Sequence, residues 1–162
     1  MEPMLLFKYA HILSSTVLFG TGLGVAVFMV MARRTRDPKV VAAVAGMAVA
    51  ANLLFTLTAG VVQPLTGIGL IVSQERGPME PWLVAAYALF VFVGACWVPV
   101  VFIQMRMKRL AEGAVAAGGD LPPEYDRLYR LWLGLGVPAF AAMLLIFYDM
   151  LAQPALWGAT AV

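Results

Sequence analysis

Four long apolar stretches, separated by charged or proline-rich breaks, constrain the fold of this chain more than any other feature. They run over about residues 4–31, 40–63, 81–105 and 128–152. Each is long enough to cross the hydrocarbon core of a membrane, which takes about 20 residues of α-helix. The stretches are continuously apolar rather than alternating, which favours helices over the strands of a membrane barrel. The sequence therefore predicts an all-α integral membrane protein.

The composition supports a membrane protein and excludes several other classes. Hydrophobic residues make up 62% of the 162 residues and charged residues only 12%, whereas about 25% of a typical soluble protein is charged. A soluble globule of this size could not bury so much apolar surface. A soluble enzyme and a nucleic-acid-binding protein are therefore excluded. The single cysteine, Cys96, excludes an intrachain disulfide and a metal site made of several cysteines.

The positions of the basic residues predict how the helices are oriented. Nine of the 11 lysines and arginines lie in or beside the breaks after the first and third stretches, and Lys8 and Arg76 are the exceptions. Cytoplasmic loops carry an excess of such residues. We therefore expect segments 32–39 and 106–127 to lie in the cytoplasm of a bacterium and both termini to lie outside its inner membrane. Because the breaks are short, residues 1–162 are expected to form one up-down-up-down four-helix bundle.

Four polar side chains, one from each apolar stretch, are candidates for a functional site. They are His11, which is the only histidine, Gln63, Tyr87 and Asp149. A rise of about 1.5 Å per residue places all four in the outer half of the membrane. His11 is a candidate ligand for haem b, or secondarily for copper, with the other three around it. The alternatives are that His11 hydrogen-bonds to a carbonyl or to Gln63 and only fastens the first helix to the second, or that it relays protons.

Other polar residues within the stretches predict structure rather than chemistry. Asn52 and Thr56 are interpreted as contacts between helices. Asp149 has a second interpretation besides the site, as an interfacial residue or the partner of Lys8.

The proline and tryptophan residues predict where helices end and where the membrane surface lies. Pro64 lacks a backbone donor, so we expect the second helix to end or kink there, with residues 65–73 as a short interfacial segment. Trp82 and Trp157 are expected to anchor the outer interface and Trp132 the inner one.

Several short motifs carry a family resemblance. They are Lys8-Tyr-Ala-His11, Leu18-Phe-Gly-Thr-Gly-Leu-Gly24, Gln63-Pro-Leu-Thr-Gly67, Pro81-Trp-Leu and Gly94-Ala-Cys-Trp97-Val-Pro99. With these motifs the chain resembles the DUF2269 family of predicted integral membrane proteins over almost its whole length. The first-helix and Pro-Trp-Leu motifs are also similar, more distantly, to HemJ-type protoporphyrinogen oxidases and CopD-like copper-resistance proteins. That resemblance implies a haem ligand at His11, but Val84 and Ala86 stand where the HemJ type has a histidine and a lysine.

Three functions remain open from the sequence. The first is a small membrane protein that binds haem b or a metal through His11 and handles electrons, a porphyrin or the metal. The second is a non-enzymatic accessory or structural subunit without a cofactor. The third is a transporter, which would have to be a homo-oligomer because four helices with so few internal charges make a poor conduit. The expected partners are the lipid bilayer and either copies of this chain or another membrane protein.

Overall fold

The computed structural model describes residues 2–154 and contains four long helices joined by short turns. Helix α1 comprises Pro3–Thr35, α2 Pro38–Ser73, α3 Pro81–Ala117 and α4 Pro123–Ala152. Each helix contains a window that is long and apolar enough to cross a membrane. No β-strand occurs within residues 2–154. The predicted four-helix membrane bundle is therefore confirmed.

Local chemistry explains where the helices begin and end. Each begins at a proline, which is well tolerated in a first turn because the backbone N–H that it lacks would have no helical partner there. Asp37 caps α2 by accepting a hydrogen bond from the Lys39 backbone N–H at 2.8 Å. Helices α1 and α3 are followed by Arg36 and Gly118, both in the left-handed conformation that commonly terminates helices.

Helix α2 continues through Pro64 to Ser73. The expectation that α2 ends at Pro64, with a separate interfacial segment after it, is therefore wrong, and a kink at Pro64 stays a prediction. A proline inside a helix removes one hydrogen bond, here the one to the carbonyl of Gly60 four residues earlier. The apolar surroundings favour keeping the remaining backbone groups paired within a helix, so the loss of one bond does not end α2.

The irregular part of α2 is a π-helical turn at Asn52–Thr56, in which the Leu57 backbone N–H donates to the Asn52 carbonyl. This turn divides α2 into an inner half, Pro38–Ala51, and an outer half, Leu57–Ser73. We use "inner" for the end of the bundle that holds the arginine-rich turns and "outer" for the opposite end.

The buried core lies in the inner part of the bundle, where all four helices meet. Its side chains are Met29, Ala32, Val41, Ala48, Val100, Met107, Ala111, Tyr125 and Trp132. In the outer part the helices instead associate as two pairs. Helix α1 packs along the outer half of α2, α3 packs along α4, and the outer half of α2 hardly touches α3. The bundle is therefore closed at its inner end and more loosely joined at its outer end.

The described tryptophans at the predicted interfaces pack inside the chain. Trp82 is only 9% exposed, and its indole N–H donates to Glu80 Oε2 at 2.7 Å. Trp132 is 5% exposed and belongs to the inner core. The expectation that these two rings anchor the interfaces is corrected, because both are used for contacts within the protein. Trp157 lies outside the described residues.

Candidate functional site

His11 and Gln63 lie together, in agreement with the depth estimated from the sequence. His11 Nδ1 is 3.2 Å from the Gln63 carbonyl oxygen and 3.0 Å from Thr66 Oγ1. His11 Nε2 is 3.1 Å from the Gln63 side-chain nitrogen. The Ser14 hydroxyl completes the arrangement by donating to Gln63 Oε1. We call His11, Ser14, Gln63 and Thr66 the outer network, which joins α1 to the outer half of α2.

The hydrogen-bond partners assign the tautomer of His11. The Thr66 hydroxyl lies 2.8 Å from the Val62 carbonyl and donates its hydrogen there, so Thr66 Oγ1 accepts from the imidazole. The Gln63 carbonyl can only accept as well. Nδ1 therefore carries the hydrogen, and Nε2 accepts one from the Gln63 amide. Both nitrogens of a neutral imidazole are satisfied by α2, which is what a histidine in hydrocarbon requires.

The glycines that follow Pro64 allow α1 to approach α2 closely. A Cβ atom on Gly67 would lie 3.3 Å from His11 Cε1, and one on Gly69 would lie 2.6 Å from the ring of Phe7. A separation under 3.0 Å requires something to shift. The motif from Gln63 to Gly69 thus combines two hydrogen-bonding partners for His11 with two positions that leave room for aromatic rings of α1.

Tyr87 and Asp149 lie on α3 and α4, the other pair of helices. Within residues 2–154, no hydrogen bond joins either side chain to the outer network. Tyr87 is 42% exposed, whereas Asp149 is 5% exposed and its Oδ2 has no hydrogen-bonding partner in the described part of the chain. The ion pair expected between Asp149 and Lys8 is not formed among the described residues. The outer network is therefore built from α1 and α2.

A second polar network joins three helices at the π-helical turn. The Asn52 amide donates to Gln104 Oε1 at 2.6 Å, and the Trp97 indole N–H donates to Asn52 Oδ1 at 3.3 Å. The Gln104 amide nitrogen is 3.5 Å from Met29 Sδ. Asn52 and Gln104 are 5% and 1% exposed. We call these four residues the inner network. They confirm Asn52 as a contact between helices, whereas the hydroxyl of Thr56, which was interpreted in the same way, has no hydrogen-bonding partner among the described residues.

Gln104 was not among the residues predicted from the sequence, in which it lies at the inner end of the third apolar stretch. The available signal was an uncharged polar residue two positions before Arg106. The pairing of Gln104 with Asn52 could not be predicted because α2 and α3 are offset along their axes. A Cβ atom on Gly46 would lie 3.7 Å from Lys108 Cε, so the first turns of α2 run beside the charged extension of α3.

The outer network offers no unoccupied nitrogen to a metal ion or a haem iron. A metal binds imidazole through the lone pair of one nitrogen, and the lone pair of Nε2 accepts from the Gln63 amide. Within the described residues, no three His, Cys, Asp or Glu side chains are grouped so that they could hold a metal ion. As arranged, these residues do not fit a resident metal or haem unless the Gln63 amide rotates away.

The four apolar helices and the polar contacts between them define a multi-pass integral membrane protein. The chain belongs to the DUF2269 family, described as predicted integral membrane proteins, whose sequence model matches residues 5–154. The match reaches into all four helices, so the resemblance of the motifs to the DUF2269 family is confirmed. No curated protein and no solved structure gives a significant match to the chain.

Proposed function

We propose that the protein is a non-enzymatic accessory or structural subunit of the bacterial inner membrane, in which His11 fastens α1 to α2. The observation that carries this proposal is that both ring nitrogens of His11 are hydrogen-bonded within the chain. An unpartnered imidazole in hydrocarbon would cost about 2 kcal/mol or more, and the outer network removes that cost. The proposal includes the predicted orientation, with segments 32–39 and 106–127 in the cytoplasm.

One observation favours a second candidate function, the binding of haem b or a metal by His11. The Nδ1–H group points to the Gln63 carbonyl and to Thr66, and metal-ligating histidines are commonly held by such a bond from the other nitrogen. Rotation of the Gln63 amide would then expose Nε2 as the ligand. A bound haem or metal would supply electron transfer, and the distant resemblance to HemJ-type proteins supports this candidate.

The two candidates are separated by purifying the full chain from cells supplied with haem precursor and copper. His11→Ala is purified beside Tyr9→Ala, a control two residues away whose side chain is 64% exposed. If the protein is a subunit without a cofactor, all three samples lack a Soret band and bound metal, and only His11→Ala loses stability. A Soret band or stoichiometric metal in the wild type and in Tyr9→Ala, lost in His11→Ala, would contradict the proposal.

A further inference from the structure

An open surface cavity of about 390 Å³ lies at the inner end of the bundle and is lined mainly by charged side chains. The lining residues are Arg33, Arg36, Asp120, Leu121 and Asp126. Arg33 and Asp126 neutralise each other, with Arg33 Nε donating to Asp126 Oδ1 at 2.8 Å. Arg36 and Asp120 form no ion pair within residues 2–154. One cation and one anion without partners in the described chain therefore face the same cavity.

The backbone holds these two charges beside the cavity. Arg36 has a φ of 58° and ends α1, and its N–H donates to the Arg33 carbonyl. Asp120 follows Gly118 and Gly119, whose N–H groups donate to carbonyls of the last turn of α3 at 3.1 and 3.0 Å. Gly118 adopts a φ of 64°, which glycine reaches without strain. Backbone hydrogen bonds at the ends of α1 and α3 therefore fix the chain beside both Arg36 and Asp120.

Exposed apolar helix faces begin close to the cavity. Exposed apolar side chains begin within five residues of the lining on both helices, with Met31 on α1 and Leu131 on α4, which are 57% and 54% exposed. Five residues of helix correspond to about 7.5 Å. A molecule with its polar end in the cavity could therefore lay its apolar part on these helix faces.

We propose that this cavity binds the headgroup of a zwitterionic phospholipid with a primary amine, phosphatidylethanolamine. The lipid phosphate would accept hydrogen bonds from Arg36, since a guanidinium group matches the geometry of phosphate oxygens. The lipid ammonium would donate to the Asp120 carboxylate. With Arg33 and Asp126 paired, the lining presents one positive and one negative side chain, which complements a zwitterion, whereas a headgroup without a cation would leave Asp120 unpaired. This site is at the opposite end from His11 and does not depend on the function proposed above.

The test is native mass spectrometry of the full chain in detergent, with equal amounts of phosphatidylethanolamine and phosphatidylglycerol. The wild type is expected to retain phosphatidylethanolamine preferentially. Arg36→Gln and Asp120→Asn are each expected to lower that retention roughly two- to five-fold, the effect of one partly exposed charge contact. The matched controls are Arg34→Gln, a neighbouring exposed arginine outside the lining, and Glu2→Gln at the outer end.

The controls should retain the lipid as the wild type does. Equal retention of the two lipids by the wild type, or a preference for phosphatidylglycerol, would overturn the proposal. Unchanged retention in both lining variants would also overturn the proposal. So would a loss in Arg34→Gln as large as the loss in the lining variants, because the total charge of the protein would then govern lipid binding. The two lining variants alter exposed side chains on different segments, so either one decides the test if the other does not fold.

Discussion

The imidazole of His11 needs two hydrogen-bonding partners in an apolar setting, and a single turn of α2 supplies both. Gln63 contributes its carbonyl and its side-chain amide, and Thr66 contributes its hydroxyl. Because the hydroxyl hydrogen of Thr66 is directed to Val62, the proton of His11 is held on Nδ1. The same contacts that fix the tautomer also fix the rotation of α1 against α2.

Replacement of Gln63 by leucine tests this fastening role. Gln63→Leu removes the donor to His11 Nε2 and the acceptor for Ser14. The free energy of unfolding should fall by about 1–2 kcal/mol, since a hydrogen bond between membrane helices contributes about 0.6–1.7 kcal/mol and an unpaired group adds a penalty. Unfolding in mixed micelles measures the change. Leu65→Ala, at a position 62% exposed, is the control and should lose less. Equal stabilities of Gln63→Leu and the wild type would contradict the fastening role.

Tyr125, at the start of α4 and outside the predicted spans, is a second residue whose environment has a measurable consequence. Burial raises the pKa of Tyr125 from 10.0 to about 12, although the nearby Arg33 partly lowers it. The folded protein therefore holds the phenol proton more tightly than the unfolded chain does. The stability from this group is complete below the unfolded pKa of 10.0 and is lost as the pH rises toward about 12.

The titration of Tyr125 can be measured from the absorbance of tyrosinate in the wild type and in Tyr125→Phe. The difference between the two curves should show ionisation near pH 12 rather than 10. Between these values the wild type should lose stability more steeply than Tyr125→Phe. A difference curve centred on the ordinary value of tyrosine would show that Tyr125 is not buried as described.

Among the helices, α2 carries the most unusual local structure and contributes to both polar networks. Its π-helical turn at Asn52–Thr56 places Asn52 against Gln104, and its outer half places Gln63 and Thr66 against His11. π-helical turns are rare and often occur at functional positions. The main neighbour of α2 changes at this turn. Its inner half packs mainly against α3, and its outer half packs mainly against α1.

The close approach of α1 and α2 is tested by adding a methyl group at Gly69. A Cβ atom there would lie between 2.6 and 2.8 Å from three ring atoms of Phe7, including Cγ. Tilting the ring cannot relieve a clash with Cγ, so Phe7 must change rotamer or α1 must move away. Gly69→Ala should cost about 1–3 kcal/mol of unfolding free energy.

The matched control is Gly60→Ala on the same half of α2, where a Cβ atom meets nothing within 4 Å. Gly60→Ala should be neutral or stabilising by up to about 1 kcal/mol, because alanine favours the helix. The loss in Gly69→Ala should also shrink in a Phe7→Ala background, since the clashing ring is then absent. The same loss in both backgrounds would exclude Phe7 as the cause.

The molecule as a whole has one closed end and one looser end. Core side chains from all four helices meet at the inner end, while the two helix pairs separate toward the outer end. Phe19 of α1 bridges the pairs near the middle, with ring centroids 4.9 Å from Phe140 and 5.4 Å from Phe147 of α4. The asymmetry predicts that the inner end holds most of the tertiary stability.

The orientation of the molecule is tested by labelling single cysteines in intact cells, in a Cys96→Ala background. Gly77→Cys lies in the turn between α2 and α3, and Arg34→Cys lies at the inner end of α1. An impermeant thiol reagent should label Gly77→Cys in intact cells and Arg34→Cys only after lysis, because the inner end carries the excess of basic residues. The reverse pattern, or equal labelling of both before lysis, would contradict the predicted topology.

The number and type of the helices, and approximately where each begins, follow from the sequence. Hydrocarbon leaves no solvent partner for backbone N–H and C=O groups, so a long apolar segment must satisfy them internally as a helix. Arg33 to Pro38 and Gln74 to Glu80 are therefore visible as breaks. The contact of His11 with Gln63 was also predictable, because these are the prominent polar groups at matching depths on consecutive helices.

The rotation and axial offset of the helices were not predictable, and they select which polar groups meet. Helix faces that are apolar all round specify neither quantity, so the sequence did not show that Gln104 lies beside Asn52. Nor did it show that the glycines after Pro64 serve packing against Phe7 rather than a break in α2. Those outcomes depend on hydrogen bonds and clashes between side chains far apart in the chain, which arise once the helices have docked.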